Sequence, residues 1–225
     1  MTGRRPPPSS SNGNGGLAFI GMQRCKDCTS SPINQLAARQ QQLGFVTVFT
    51  LNEPDAPGTG YVSPSDAAGW YKQYINPLAI KKALPAVTSS ATAGQGLDWV
   101  QQMINACAGG CFYDYINLHW YGQNFQQFQT YINAAHAKFP NNKIVVSEFA
   151  LANPPGGQAD QLNFFRQAFA FLDAATFVEM YFPFAATSPA LFNANDANPG
   201  AIGTSSMLYN NDGTISAVGQ LLLSA

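Results

Sequence analysis

The chain has 225 residues, a formal net charge of −1 and only 10% charged residues. That length supports one sizeable domain with a real core, and 11 Lys and Arg scattered along it cannot form a basic face for nucleic acid. No run of about 18 apolar residues is present, so no membrane-spanning helix is expected.

Met1 to Gly16 is a low-complexity stretch of Pro, Ser, Asn and Gly, expected to be a disordered tail ahead of a folded domain over 17–225. Arg4 and Arg5 are followed by no apolar core, so this stretch does not read as a signal peptide. Leu17 to Met22 is the first strand candidate. Ser31-Pro32 then opens a helix through Ile33, Leu36 and Gln40, with Gly44 as its stop. Val46 to Leu51 is β-branched and apolar, as a buried strand should be, and ends in Asn52-Glu53-Pro54-Asp55. Proline has no N–H to give a ladder, so the strand stops with the Glu53 carboxylate at its tip.

The alternation continues. A helix opens at Ser63-Pro64, a strand covers Leu84 to Ser89, and a helix covers Leu97 to Ile104. Tyr115 to Tyr121 reads as a strand, and Phe125 to Lys138 as a helix with Phe128, Tyr131, Ile132 and Ala135 on one stripe. The strand Lys143 to Phe149 repeats the earlier design, with Glu148 near its end and Pro154, Pro155 and two glycines beyond. A Phe-rich helix from Gln158 to Leu172, a strand from Phe177 to Phe182, a long Asn/Pro/Gly loop and a helix from Ile215 to Leu223 complete the chain.

Strands alternating with helices imply an α/β fold with parallel strands and right-handed crossovers. Between Glu53 and Glu148 lie three βα units of about 32 residues, close to the roughly 31 per unit of a (β/α)8 barrel of the TIM type. No Gly-rich phosphate-binding motif follows any strand, which argues against an open nucleotide-binding sheet, and no cofactor is implied. Barrel active sites lie at the C-terminal strand ends, where Glu53, Glu148 and His119-Trp120-Tyr121 fall. Two acids there suggest a paired-carboxylate site. The 12% aromatic content and many amides suit a sugar ligand, since rings stack on pyranose C–H faces and amides bond hydroxyls. A low-charge secreted protein has the same composition.

Cys25-x-x-Cys28 and Cys107-x3-Cys111 are the four cysteines, with His119 and His136 the only histidines. A zinc site is disfavoured by that spacing. A Cys107–Cys111 disulfide is favoured in a secreted protein, although four cysteines allow three pairings.

The strings Leu51-Asn52-Glu53-Pro54-Asp55, Leu118-His119-Trp120-Tyr121-Gly122 and Val146-Ser147-Glu148-Phe149-Ala150 together resemble glycoside hydrolase family 128, the fungal and bacterial β-1,3-glucanases of the retaining (β/α)8 clan. The resemblance runs from about Met22 to Ala225. It implies a secreted or cell-wall monomer acting on β-glucan, an endo-β-1,3-glucanase in type. Glu53 would be the acid/base and Glu148 the nucleophile, with carboxyls about 5–5.5 Å apart as retention requires. Asn52 would bond the sugar 2-hydroxyl, Tyr121 or His119 would orient the nucleophile, and Trp120 would offer a stacking face. Relatives carry a Trp at the strand-eight floor; here Met180-Tyr181-Phe182-Pro183-Phe184 has none, leaving Tyr181, Phe182 or Phe184 as substitutes.

Glu53 would close strand four, and three preceding units need roughly 93 residues. Only 45 precede Val46. The expectation is therefore a barrel lacking its first two strands, with about six remaining. The alternatives to an active hydrolase are a glucan-binding protein without turnover and a truncated, non-functional product.

Overall fold

The computed structural model describes residues 19–196 and 198–224. The tail expected over 1–16, and the start of the strand expected from Leu17, lie outside the described residues.

Six parallel strands alternate with seven α-helices among the described residues. The strands are β1 (Gly21–Gln23), β2 (Thr47–Asn52), β3 (Lys81–Ala86), β4 (Tyr115–Gly122), β5 (Lys143–Leu151) and β6 (Val178–Pro183). The helices are α1 (Leu36–Leu43), α2 (Pro64–Trp70), α3 (Gly96–Cys107), α4 (Phe125–Lys138), α5 (Gln158–Ala174), α6 (Pro189–Asn195) and α7 (Ala217–Leu223). Strand order follows chain order, β1-β2-β3-β4-β5-β6.

Local chemistry accounts for the boundaries. The Ser63 hydroxyl accepts from Asp66 N at 3.1 Å, and Pro64 occupies the first turn of α2, where no N–H is needed. Helix α1 ends on Gly44 at φ 65°, a left-handed cap that costs glycine little. The same Ser-Pro signature opens α6, where Ser188 accepts from Leu191 N. The sequence reading passed α6 over as loop, because Asn, Asp and Gly crowd the residues after it.

Pro85 lies inside β3, a strand paired on both sides. The register between β2 and β3 shifts between Val48 and Thr50, so Thr50 stands opposite Pro85. The Thr50 hydroxyl donates to Ala83 O at 3.0 Å. A bulge is the setting in which a central strand tolerates proline.

By internal contacts the chain divides into two compact units, one running to His119 and including Asn141–Val145, the other comprising Trp120–Pro140 and the residues from Val146 onward. The first unit is aliphatic at its centre. Val48, Leu84, Ile116 and Leu118 are wholly buried, and α2 packs against α3 with Trp99, Tyr71 and Met103 inside. The second unit is built on rings. Helix α5 buries Phe164, Phe165, Ala168, Phe169 and Leu172 as one apolar stripe. Phe149 of β5 stacks on Phe128 at 5.1 Å and meets Phe165 and Tyr181 edge-on. Edge-to-face and offset pairs of this kind add about 0.5–1.5 kcal/mol each beyond buried area.

Candidate active site

Glu53 is the first residue past β2, and the chain around it is irregular. Leu51 and Glu53 have φ of 32° and 46°, in the left-handed region that side-chain-bearing residues avoid. Neighbouring bonds hold this conformation. Glu53 N donates to Ala86 O at 2.7 Å, and Glu53 O accepts from Ala56 N at 3.1 Å and the Thr59 hydroxyl at 2.6 Å. Asn52 N donates to Arg24 O at 2.8 Å, tying the strand end to the loop after β1. A non-glycine residue held this way costs about 1–3 kcal/mol, a burden found mostly at functional sites.

Asp55, two residues on, is wholly buried. Its carboxylate accepts from Thr88 N at 3.1 and 3.2 Å, from the Thr88 hydroxyl at 2.5 Å and from Gly96 N at 2.8 Å. Buried charge is tolerated only when satisfied in this way. A side chain at Gly96 would collide with Ser90 O, so glycine there lets the α3 backbone reach Asp55. Asp55 thus locks the loops after β2 and β3 together, behind Glu53.

The Glu53 carboxyl is half-buried, and its Oε1 lies 3.1 Å from His119 Nδ1. The imidazole is 1% exposed. Nδ1 donates to an ionised carboxylate or accepts from a protonated one, so the contact suits either state of Glu53.

In the second unit, the Tyr121 hydroxyl donates to Glu148 Oε2 at 2.7 Å, and both residues are half-buried. The Tyr121 ring meets Phe184 edge-on at 5.5 Å. Glu148 is not at its strand's tip, because β5 continues through Phe149, Ala150 and Leu151. The sequence reading ended that strand too soon, at the last residue before the run of small and apolar residues that β5 in fact contains.

Asn52 is half-buried and lines an open cleft together with Arg24 and Tyr61. Two other expectations are corrected. Trp120 is 3% exposed, stacked on Phe164 at 5.5 Å and edge-on to Phe128 at 5.1 Å. Strand alternation turns Trp120 to the opposite side from its neighbours His119 and Tyr121, into apolar packing, where no sugar can stack on it. Tyr181 is 2% exposed, stacked on Phe169 with its hydroxyl bonded to Asp173, so it is a core residue and not a sugar-binding floor. Phe182 and Phe184 are half-buried, and Glu179 is the half-buried second residue of β6.

Cys25 is joined to Cys28 and Cys107 to Cys111. The sequence reading did not single out Tyr61, which is 55% exposed on the loop after Glu53. Its signal was an aromatic residue closing the Gly58-Thr59-Gly60 turn.

A model of the glycosyl hydrolase catalytic core family matches residues 5–221. Among solved structures, the chain is similar to a family 128 (subgroup IV) endo-β-1,3-glucanase from Lentinula edodes. The two share 57% identity with a TM-score of 0.87, over 97% of this chain and 85% of that one. A mutant family 128 (subgroup I) endo-β-1,3-glucanase from Amycolatopsis mediterranei, in complex with laminarihexaose, matches at 26% identity with a TM-score of 0.71, over 94% and 83% of the two chains. Alkali-sensitive linkage protein 1 of Schizosaccharomyces pombe is 33% identical over 187 residues, which are 80% of this chain and 33% of that protein. The chain thus spans about a third of the length of this curated relative.

Proposed function

The chain belongs to glycoside hydrolase family 128, within the glycosyl hydrolase catalytic core, and from that premise we propose that it cleaves β-1,3-glucan with retention, using Glu148 as nucleophile and Glu53 as acid/base. The observation that carries the reading is the hydrogen bond from the Tyr121 hydroxyl to Glu148 Oε2. A bond donated to one carboxylate oxygen fixes the orientation of the Glu148 side chain, as a nucleophile aimed at one carbon requires.

In this mechanism a Glu148 oxygen bonds to the anomeric carbon as the glycosidic C–O bond breaks, and the Glu53 proton passes to the departing oxygen. Glu53, now ionised, takes a proton from water, which displaces Glu148 from the sugar and restores both acids. The His119 imidazole supports this exchange, because its Nδ1 can partner Glu53 in both states. Asn52 bonds the 2-hydroxyl, an interaction that strengthens toward the transition state. Phe182 contributes apolar surface to the sugar. The two disulfides support an extracellular or cell-wall setting, since such bonds persist in oxidising compartments.

The test is laminarin incubated with the wild-type chain and with Glu148→Gln. Release of reducing ends by the wild type alone is the expected result. Equal release by both, or none from either, overturns hydrolysis by this pair. Saturable laminarin binding without release would instead mark a glucan-binding protein.

A further inference from the structure

The cleft beside Asn52 has features that the catalytic reading does not use. It encloses about 410 Å³ between the loop after β1 and the loop after β2. Arg24, Asn52 and Tyr61 line it, with Cys25 in its wall. Tyr61 and Arg24 are both exposed, and among the described residues neither side chain has a hydrogen-bond or ion-pair partner. Asn52, assigned above to the 2-hydroxyl, lines the same cleft, and the next residue is Glu53.

Both walls are held rigid from behind. On the β1 side, the buried Gln23 amide donates to Cys25 O and Ser31 O, each at 2.9 Å. The Trp70 indole donates to Lys26 O at 2.9 Å. On the β2 side, Val62 N donates to Pro54 O at 2.9 Å, and the Trp99 indole donates to Val62 O at 3.0 Å. Tyr61 is therefore presented at a fixed position next to Val62, while its ring stays in solvent. A rigid exposed ring beside the Arg24 guanidinium combines an apolar face with polar donors at its edge, and so complements a pyranose.

We infer that this cleft is a glucan subsite adjoining Glu53, in which Tyr61 stacks on a sugar ring and Arg24 bonds its hydroxyls. The inference rests on the β-1,3-glucan reading for its ligand but not on turnover. A preformed subsite loses little freedom on binding, so its contacts appear directly as affinity.

The experiment is equilibrium binding of laminarihexaose by calorimetry, on the full chain carrying Glu148→Gln so that nothing is cleaved. Adding Tyr61→Ala should weaken affinity roughly ten-fold, while Tyr61→Phe keeps it within about two-fold, because the ring and not the hydroxyl does the stacking. Phe112, 62% exposed on another loop, provides the control: Phe112→Ala should leave affinity unchanged. Thermal melting of each variant checks folding. Unchanged affinity in Tyr61→Ala overturns the subsite, as does an equal loss in Phe112→Ala or no binding by any variant. If the Tyr61 dependence holds while the unsubstituted chain releases no reducing ends, the subsite stands and the hydrolytic reading falls.

Discussion

Glu53 and Glu148 are held in place by opposite means. Glu53 stands beyond the end of a bulged strand, on left-handed backbone, and is fixed by a bond donated to Ala86 O and by bonds accepted from Ala56 and Thr59, with the buried Asp55 behind it. Glu148 sits inside the nine-residue β5, and Phe149 after it is anchored in a stack of rings. One acid is placed by polar bonds that hold a strained turn, the other by the pleat of a regular strand. Their partners differ as well. A histidine can face either protonation state of an acid/base, whereas a tyrosine hydroxyl aims a carboxylate.

The largest expected effect separates the two roles. Glu53→Gln should lower kcat on laminarin by about 10²–10⁴-fold, the usual worth of general acid–base catalysis. The loss should shrink sharply on an aryl β-glucoside, whose phenolate needs no proton to depart. Glu148→Gln should be inactive on both substrates. Equal losses for Glu53→Gln on the two substrates would remove it as the acid.

Next comes Asp55→Ala, which removes the acceptor of Thr88 and of the buried Gly96 N–H. A loss of about 3 kcal/mol is expected, or roughly 6–12 °C in Tm for a chain of this size. Activity should fall with it, since the turn carrying Glu53 loses its support. On the other side, Tyr121→Phe should cost roughly ten-fold in kcat, about 1.4 kcal/mol, with Tm nearly unchanged. A Tm drop as large as that of Asp55→Ala would show that Glu148 also depends on a polar network.

Glycine substitution compares the two backbones directly. Glu53→Gly should be neutral or slightly stabilising, because glycine accepts φ 46° freely. Glu148→Gly should cost about 0.5–1 kcal/mol, as glycine does within a strand. Denaturant midpoints of the two variants decide it.

The smallest effect lies away from both acids. Burial, reinforced by the charges of Asp114 and Tyr113, pushes the Tyr71 hydroxyl well above its usual 10.0. A raised folded-state pKa means that stability is intact below about pH 10 and declines as pH climbs, since only the unfolded chain then ionises this group readily. Tyr71→Phe should flatten that alkaline decline, measured by urea unfolding from about pH 9 to 11.

Much of this was legible along the chain. The βα alternation, the Ser63-Pro64 helix start, the Gly44 stop and the full span of α4 follow from local propensity and capping, which depend on residues a few positions apart. The Asn52-Glu53 and Glu148 motifs were legible for the same reason. The corrections at Trp120 and Tyr181 arose because aromatic residues near strand ends serve equally well as sugar platforms and as core. Which of the two they become depends on Phe128, Phe164 and Phe169, whose helices pack on those strands only in the folded chain. The strand through Pro85 was legible, but the register shift opposite it was not, because a bulge is a property of two strands and not of one.

The sequence by itself determined the repeat and the family, because periodicity, turn chemistry and short motifs are properties of neighbouring residues. Only the tertiary structure decided that His119 faces Glu53, that Tyr121 bonds Glu148, that Asp55 locks the turn behind Glu53, and that Trp120 is spent on the core while Tyr61 is left in solvent. Those outcomes depend on which side of each strand meets which distant helix or loop, and packing alone sets that.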